Sequence, residues 1–199
     1  MRNRLHNTEH RYGWIAIILH WLTAFVVLGL LGLGLYMVEL DYYDPWYNRL
    51  PFLHKSVGLL FACLLLVHFL WRSFSLAPRP PDGTSRFERI AARIVHALLF
   101  ALSGAIVLSG YLISTADGAG ISVFDLFTVP ASITTIPGQA DTAGLVHRYL
   151  SYALLALLVL HIAAALKHHF IDRNNTLRRI LGMRDRRSRT ENPSNGGKI

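Results

Sequence analysis

The chain has 199 residues, 52% of them hydrophobic and only 16% charged, with a formal net charge of +8. A mean hydropathy of +0.35 sets it apart from soluble domains, and its single cysteine, Cys63, excludes a disulfide framework or a thiolate-built zinc or iron–sulfur centre within the chain. The apolar residues are gathered into runs at 14–38, 52–72, 90–113 and 144–168, each long enough to cross a hydrocarbon core about 30 Å thick. They predict an all-α integral membrane protein, a four-transmembrane-helix bundle within a single domain over residues 1–182, followed by a basic, disordered tail over 183–199.

Orientation follows from the basic residues. Of the 20 lysines and arginines, 17 lie in the N-terminal segment, in the stretch from Arg72 to Arg93, or from Lys167 onward. By the positive-inside rule both termini and the middle loop face the cytoplasm of a bacterial inner membrane. The +8 charge is therefore a topology signal rather than a nucleic-acid footprint, and the tail is placed to touch anionic headgroups. Arg2, Arg4 and Arg11 precede the first run as in a signal peptide. Its apolar core is longer than the roughly 7–15 residues of such a signal, and no small-residue cleavage pattern follows before Glu39.

Helix 1 carries His20, about 10 Å deep on the cytoplasmic side, with Gly29, Gly32 and Gly34 permitting close approach of a neighbour further out. The outer loop 39–50 is acidic and aromatic, as an interfacial belt would be. Helix 2 opens near Pro51, with His54 just inside the outer surface. One turn below it, Gly58 leaves room beside the helix for a bulky planar group. His68 follows 14 residues after His54, and Trp71 and Arg72 close the helix at the cytoplasmic interface. A turn-rich connector leads to helix 3, with His96 near its start and Gly104 and Gly110 beyond. The outer loop 114–143 has no lysine or arginine, and its VFDLF segment reads as a short helix lying on the membrane. Helix 4 carries His147 outside and His161 inside, 14 residues apart. Both rings therefore leave one face, about 21 Å apart along the axis.

Ionisable side chains within a membrane are costly and call for partners. Depth pairs His54 with His147 and His20 with His161. Two imidazoles at one level of a bundle can hold a planar iron macrocycle, and with both axial positions filled the favoured chemistry is electron transfer. Zinc would want three or four ligands at one level, and a proton relay would want buried acids. No Asp or Glu lies inside any of the runs. The pattern thus predicts two b-type haems, the outer iron on His54 and His147 and the inner on His20 and His161. Lys55 and Arg148 adjoin the outer pair, either as propionate partners or to steer an anionic donor onto the haem edge.

The elements LHWL at His20, LHKSVG at His54, LVHRYLSY at His147 and LHIAAALKHHFIDRNNTL from His161 resemble the bacterial cytochrome b561 family, over residues 12–182. The resemblance implies a di-haem inner-membrane cytochrome with those four histidines as ligands. It extends to members that act as superoxide oxidases, which implies superoxide as a periplasmic donor and ubiquinone as acceptor, a superoxide:ubiquinone oxidoreductase-like activity. His68 stands where that family more usually has arginine, and it competes with His20 to oppose His161. His68, Arg72, His96 and His168 are further candidates for propionate or quinone contacts. Two alternatives are a haem-bearing membrane subunit of a larger respiratory dehydrogenase, with a redox partner subunit, and a haem-free histidine-lined transporter. The orientation is directly testable: a reporter active only in the cytoplasm, fused after Ile199, is expected to be active, and a periplasm-only reporter silent.

Overall fold

Four helices carry the chain: α1 Trp14–Met37, α2 Arg49–Phe74, α3 Arg86–Ser114 and α4 Gln139–Phe170. All four are long and apolar enough to cross a membrane. They are followed by a short α5, Thr176–Ile180. These elements belong to a computed structural model that describes residues 4–81, 83–134 and 136–183. Beyond Met183 the expected basic tail lies outside the described residues. Large apolar side chains such as Ile18, Phe25, Leu66, Leu108 and Leu160 point outward along the helices, a surface suited to lipid rather than water.

The helices extend past their apolar runs where local chemistry supports it. Helix α3 begins four residues before the run at 90 because Ser85 and Glu88 form a capping box: the Ser85 hydroxyl accepts from the Glu88 N–H, and the Glu88 carboxylate accepts from the Ser85 N–H. Helix α2 starts at Arg49 and tolerates Pro51 because a first-turn N–H has no helical partner to lose. Helix α4 starts after Gly138, whose φ of 65° suits glycine. There Gln139 is buried and donates to the Leu112 and Ile133 carbonyls.

Helix α1 packs on α2, α3 on α4, and α2 on α3. Midway along the bundle Val27, Phe61 and Leu154 form a buried cluster, with Leu30, Leu64, Leu99, Leu102, Ile106 and Leu158 packed around it. This apolar layer separates two polar ends.

One end is closed by a hairpin, β1 Ile121–Val123 and β2 Phe127–Val129, paired antiparallel. The VFDLF segment is therefore a turn and strand, not the surface helix expected from its apolar spacing. Phe124 and Asp125 both take positive φ, 50° and 57°, which turns the chain too tightly for a helix and matches the twist of a hairpin. Asp125 stabilises the turn by accepting from the Ser122 hydroxyl. The hairpin is pinned to α2 through fully buried Ser56: its hydroxyl accepts from the Phe124 N–H at 3.2 Å and lies 3.4 Å from the Ser122 carbonyl.

At the other end three segments meet. His6 stacks on Trp71 with centroids 5.3 Å apart, Glu9 pairs with Arg79 at 2.8 Å, and the Trp21 indole donates to the Ile180 carbonyl. Gly13 is needed there, because an added Cβ would collide with the Leu5 carbonyl. Replacing Ser56 by Ala should strand the Phe124 N–H and loosen the hairpin, at a cost of about 1–3 kcal/mol. Hydrogen exchange is expected to show faster exchange confined to 121–129.

Candidate functional site

The hairpin end holds a cavity of about 810 Å³ reached by all four helices. Its walls are mostly aliphatic, and Val27, Phe61 and Leu154 of the central layer line it too. One glycine from each helix faces it: Gly34, Gly58, Gly110 and Gly144. Gly58 and Gly144 front open space, with nothing within 4 Å of where a Cβ would stand. Gly34 and Gly110 have a different task. A Cβ on Gly34 would stand 3.3 Å from His54 Cε1, and one on Gly110 would stand 3.1 Å from His147 Cε1. Each glycine thus lets a histidine ring lie back against the neighbouring helix.

The two rings face each other with centroids 6.3 Å apart and planes 70° apart. A metal–imidazole bond of about 2.0 Å on each side, plus the distance from nitrogen to ring centre, puts two axial histidines about 6 Å apart, centroid to centroid. The hairpin-end pair matches that span. His147 Nδ1–H donates to the Ile106 carbonyl at 2.9 Å, with the Ser109 hydroxyl 3.2 Å away. That bond fixes the tautomer and leaves the other nitrogen with a free lone pair, the state a metal requires. His54 Nδ1 is buried with no partner among the described residues, so this ring is open to an added ligand. An apolar, glycine-lined cavity between two such rings fits a b-type haem.

Lys55 and Arg148 also line the cavity, and both are exposed. Neither forms an ion pair among the described residues. Asp117 lies on the same wall, its carboxylate accepting from the Ala119 N–H.

The opposite end gathers His20, His68, His96, His161 and Arg72 within electrostatic reach of one another. His20 and His161, paired by depth, lie within electrostatic reach of each other. His161 has the His96 ring against it, centroids 5.3 Å apart, a direct contact shorter than the span for one metal between two imidazoles. Sequence reasoning placed His96 only near the start of its helix. With α3 starting at Arg86, His96 lies about 15 Å along it, level with His161, about 14 Å from the end of α4. The Ser85-x-x-Glu88 signature carried that information. His68 is otherwise engaged, sharing a 2.9 Å hydrogen bond with the Thr23 hydroxyl and packing on Phe100.

Arg72 and His96 line one groove, and His168 is not among its lining residues. The His168 Nδ1–H donates to Asp172 at 2.7 Å. Glu88, His168 and Asp172 bring three potential metal-ligand atoms within 4.8 Å of one another. Lys167 already bonds both carboxylates, at 3.3 Å and 2.9 Å. The group therefore works as a clasp between the start of α3 and the end of α4. Lys167, with a smaller contribution from His168, holds the Asp172 carboxyl below the usual carboxylate range.

Comparison with known proteins decides the family. A family model for prokaryotic cytochrome b561 matches residues 11–183. The chain belongs to the prokaryotic cytochrome b561 family. It is 50% identical over 176 residues to cytochrome b561 homolog 2 of Escherichia coli strain K12, covering 88% of this chain and 94% of that protein. It is 26% identical over 174 residues to the probable superoxide oxidase CybB of Yersinia pestis, covering 86% and 96%. To cytochrome b561 homolog 1 of Escherichia coli strain K12 it is 26% identical over 186 residues, covering 88% and 99%. Membership in the cytochrome b561 family makes the chain a multi-pass bacterial membrane protein of electron transfer, with b-type haem as the implied cofactor. Substituting Gly110 by Val should push the His147 ring out of line. Haem content, read as the pyridine haemochrome per chain, is expected to fall with helix content unchanged.

Proposed function

We propose that the chain is a transmembrane di-haem b-type cytochrome carrying electrons from a periplasmic-side donor, with superoxide as the leading candidate, to membrane ubiquinone. The observation that carries this reading is the hairpin-end site, two facing histidines over an apolar cavity with two cations at its rim that have no ion-pair partner among the described residues. Haem, when bound, supplies an iron centre that changes charge by one electron. His54 and His147 would hold the outer group, and His20 and His161 the inner one. The Ile106 carbonyl keeps His147 in the ligating tautomer, and Gly34 and Gly110 give the rings their backing. His96, in contact with His161, then supports the inner ligand from behind rather than binding metal itself.

Lys55 and Arg148 give the rim a positive potential that raises the local concentration of a small anion. Each superoxide gives up one electron and leaves as dioxygen. Two such electrons and two protons from water convert ubiquinone to ubiquinol. Both termini are on the cytoplasmic side in this scheme, which puts the hairpin and its cavity on the periplasmic side.

Haem quantitation with a reduced-minus-oxidised spectrum tests the ligand scheme. Two haems per chain are expected, one lost in His54→Ala or His147→Ala and the other in His20→Ala or His161→Ala. His96→Ala is expected to retain both, and a haem lost from that variant would transfer the inner ligand role to His96. For the donor, Lys55→Gln with Arg148→Gln should slow superoxide oxidation at low ionic strength by about tenfold and flatten its salt dependence. An unchanged rate with both haems present would remove the steering role.

A further inference from the structure

A second concavity, of about 640 Å³, lies between α2 and α3 at the end opposite the hairpin. Neither His20 nor His161 lines it; His96, whose ring contacts His161, stands on its wall, so the groove adjoins the proposed inner haem site without containing its ligands. Its floor is apolar, with Ala62, Leu66 and Phe69 from α2 facing Phe100 and Ala101 from α3. An added Cβ at Gly104, further along, would meet nothing within 4 Å, so the floor is a groove rather than a closed seam. Arg72 from α2 and Arg93 from α3 stand at its upper edge, both exposed. Among the described residues neither guanidinium has a carboxylate partner, and no acid lines the groove.

From Arg72 down to Ala62 the groove runs about 15 Å along α2. That is about half the thickness of a hydrocarbon core, the depth of one leaflet. A cationic mouth at headgroup level above an apolar slot one leaflet deep has the complementarity of a single lipid. Two guanidiniums at the mouth of one groove favour a phosphate diester with net negative charge, which can accept from both. A zwitterionic lipid brings its own cation to the same place, and a neutral carbonyl gains little from a second arginine.

We propose that this groove is a binding site for an anionic phospholipid, its phosphate held by Arg72 and Arg93 and one acyl chain laid along α2 and α3. The site goes beyond the electron-transfer reading and does not depend on it. Occupancy joins α2 to α3 at the end where their own side-chain packing leaves a gap.

The test is native mass spectrometry of the full-length haem-loaded protein released from mild detergent. After delipidation, phosphatidylglycerol is titrated against phosphatidylcholine. The wild-type chain is expected to bind one phosphatidylglycerol in preference to phosphatidylcholine. Arg72→Gln with Arg93→Gln should weaken that binding by at least about tenfold. Arg86→Gln with Arg89→Gln, the same charge change at the same end but outside the groove, should leave it unaltered. Ala101→Leu, which fills the floor with both arginines intact, should also weaken it, and decides the matter if the double variant misfolds. Equal binding of the two lipids, or full phosphatidylglycerol binding by a folded double variant, would overturn the proposal. So would displacement of the lipid by a short-chain ubiquinone, or loss of a haem from the double variant with the lipid retained. The last two outcomes would assign the arginines to a quinone or to haem propionates.

Discussion

An imidazole placed in hydrocarbon keeps ring nitrogens that need partners, and lipid supplies none. That requirement constrains the rest of the bundle. No Asp or Glu lies inside the apolar runs, so the histidines turn to backbone carbonyls, hydroxyls, one another or an added metal. His147 takes the Ile106 carbonyl, and His68 takes the Thr23 hydroxyl. His54 Nδ1 has no partner among the described residues. The ring with no partner of its own and the ring with a fixed tautomer face each other over the apolar cavity. The glycines follow from the same need, because each ring must lie flat against the next helix to leave space between the pair.

The two ends meet that requirement differently. At the hairpin end the rings stand apart at 6.3 Å and the walls are aliphatic. At the other end four histidines and Arg72 crowd together, and His96 touches His161 directly. The surrounding chain is also tied by polar contacts there. The N-terminal segment, the middle connector and α5 are tied by Glu9–Arg79, by the Arg179 guanidinium donating to the Arg79 carbonyl, and by Trp21 to Ile180. The hairpin end is held instead by buried Ser56 and Gln139 and by the Tyr111 hydroxyl, which donates to the Pro130 carbonyl and accepts from the Ser132 N–H.

Helix number, helix order and the His54–His147 pairing were legible in the sequence because each depends on depth alone, and depth is a count of residues along an axis. The 14-residue step within α4 and the matching heights of His54 and His147 needed no knowledge of which way a helix is turned. The His96–His161 contact does need it. Azimuth around an axis is set by packing against neighbours, and the apolar pattern of a membrane helix, hydrophobic on every side, carries little of that. The hairpin was lost for another reason. Its strands are three residues long, too short for alternation to outweigh the helical spacing of VFDLF, and the turn depends on Phe124 in a conformation that phenylalanine rarely adopts. The capping box at Ser85 was readable, and would have set His96 at its proper height.

The buried layer of Val27, Phe61 and Leu154 has a consequence for charge movement. It lies between two clusters of titratable groups; buried Ser103 stands beside it but no acid does, so a proton has no continuous path along it. Electrons cross short stretches of packed hydrocarbon, whereas protons need a chain of exchangeable sites. With a haem at each end, as proposed, the waist of the bundle would pass electrons and hold back protons. A reduction completed at one face must draw its protons from the water on that face, and any transfer between faces separates charge across the membrane.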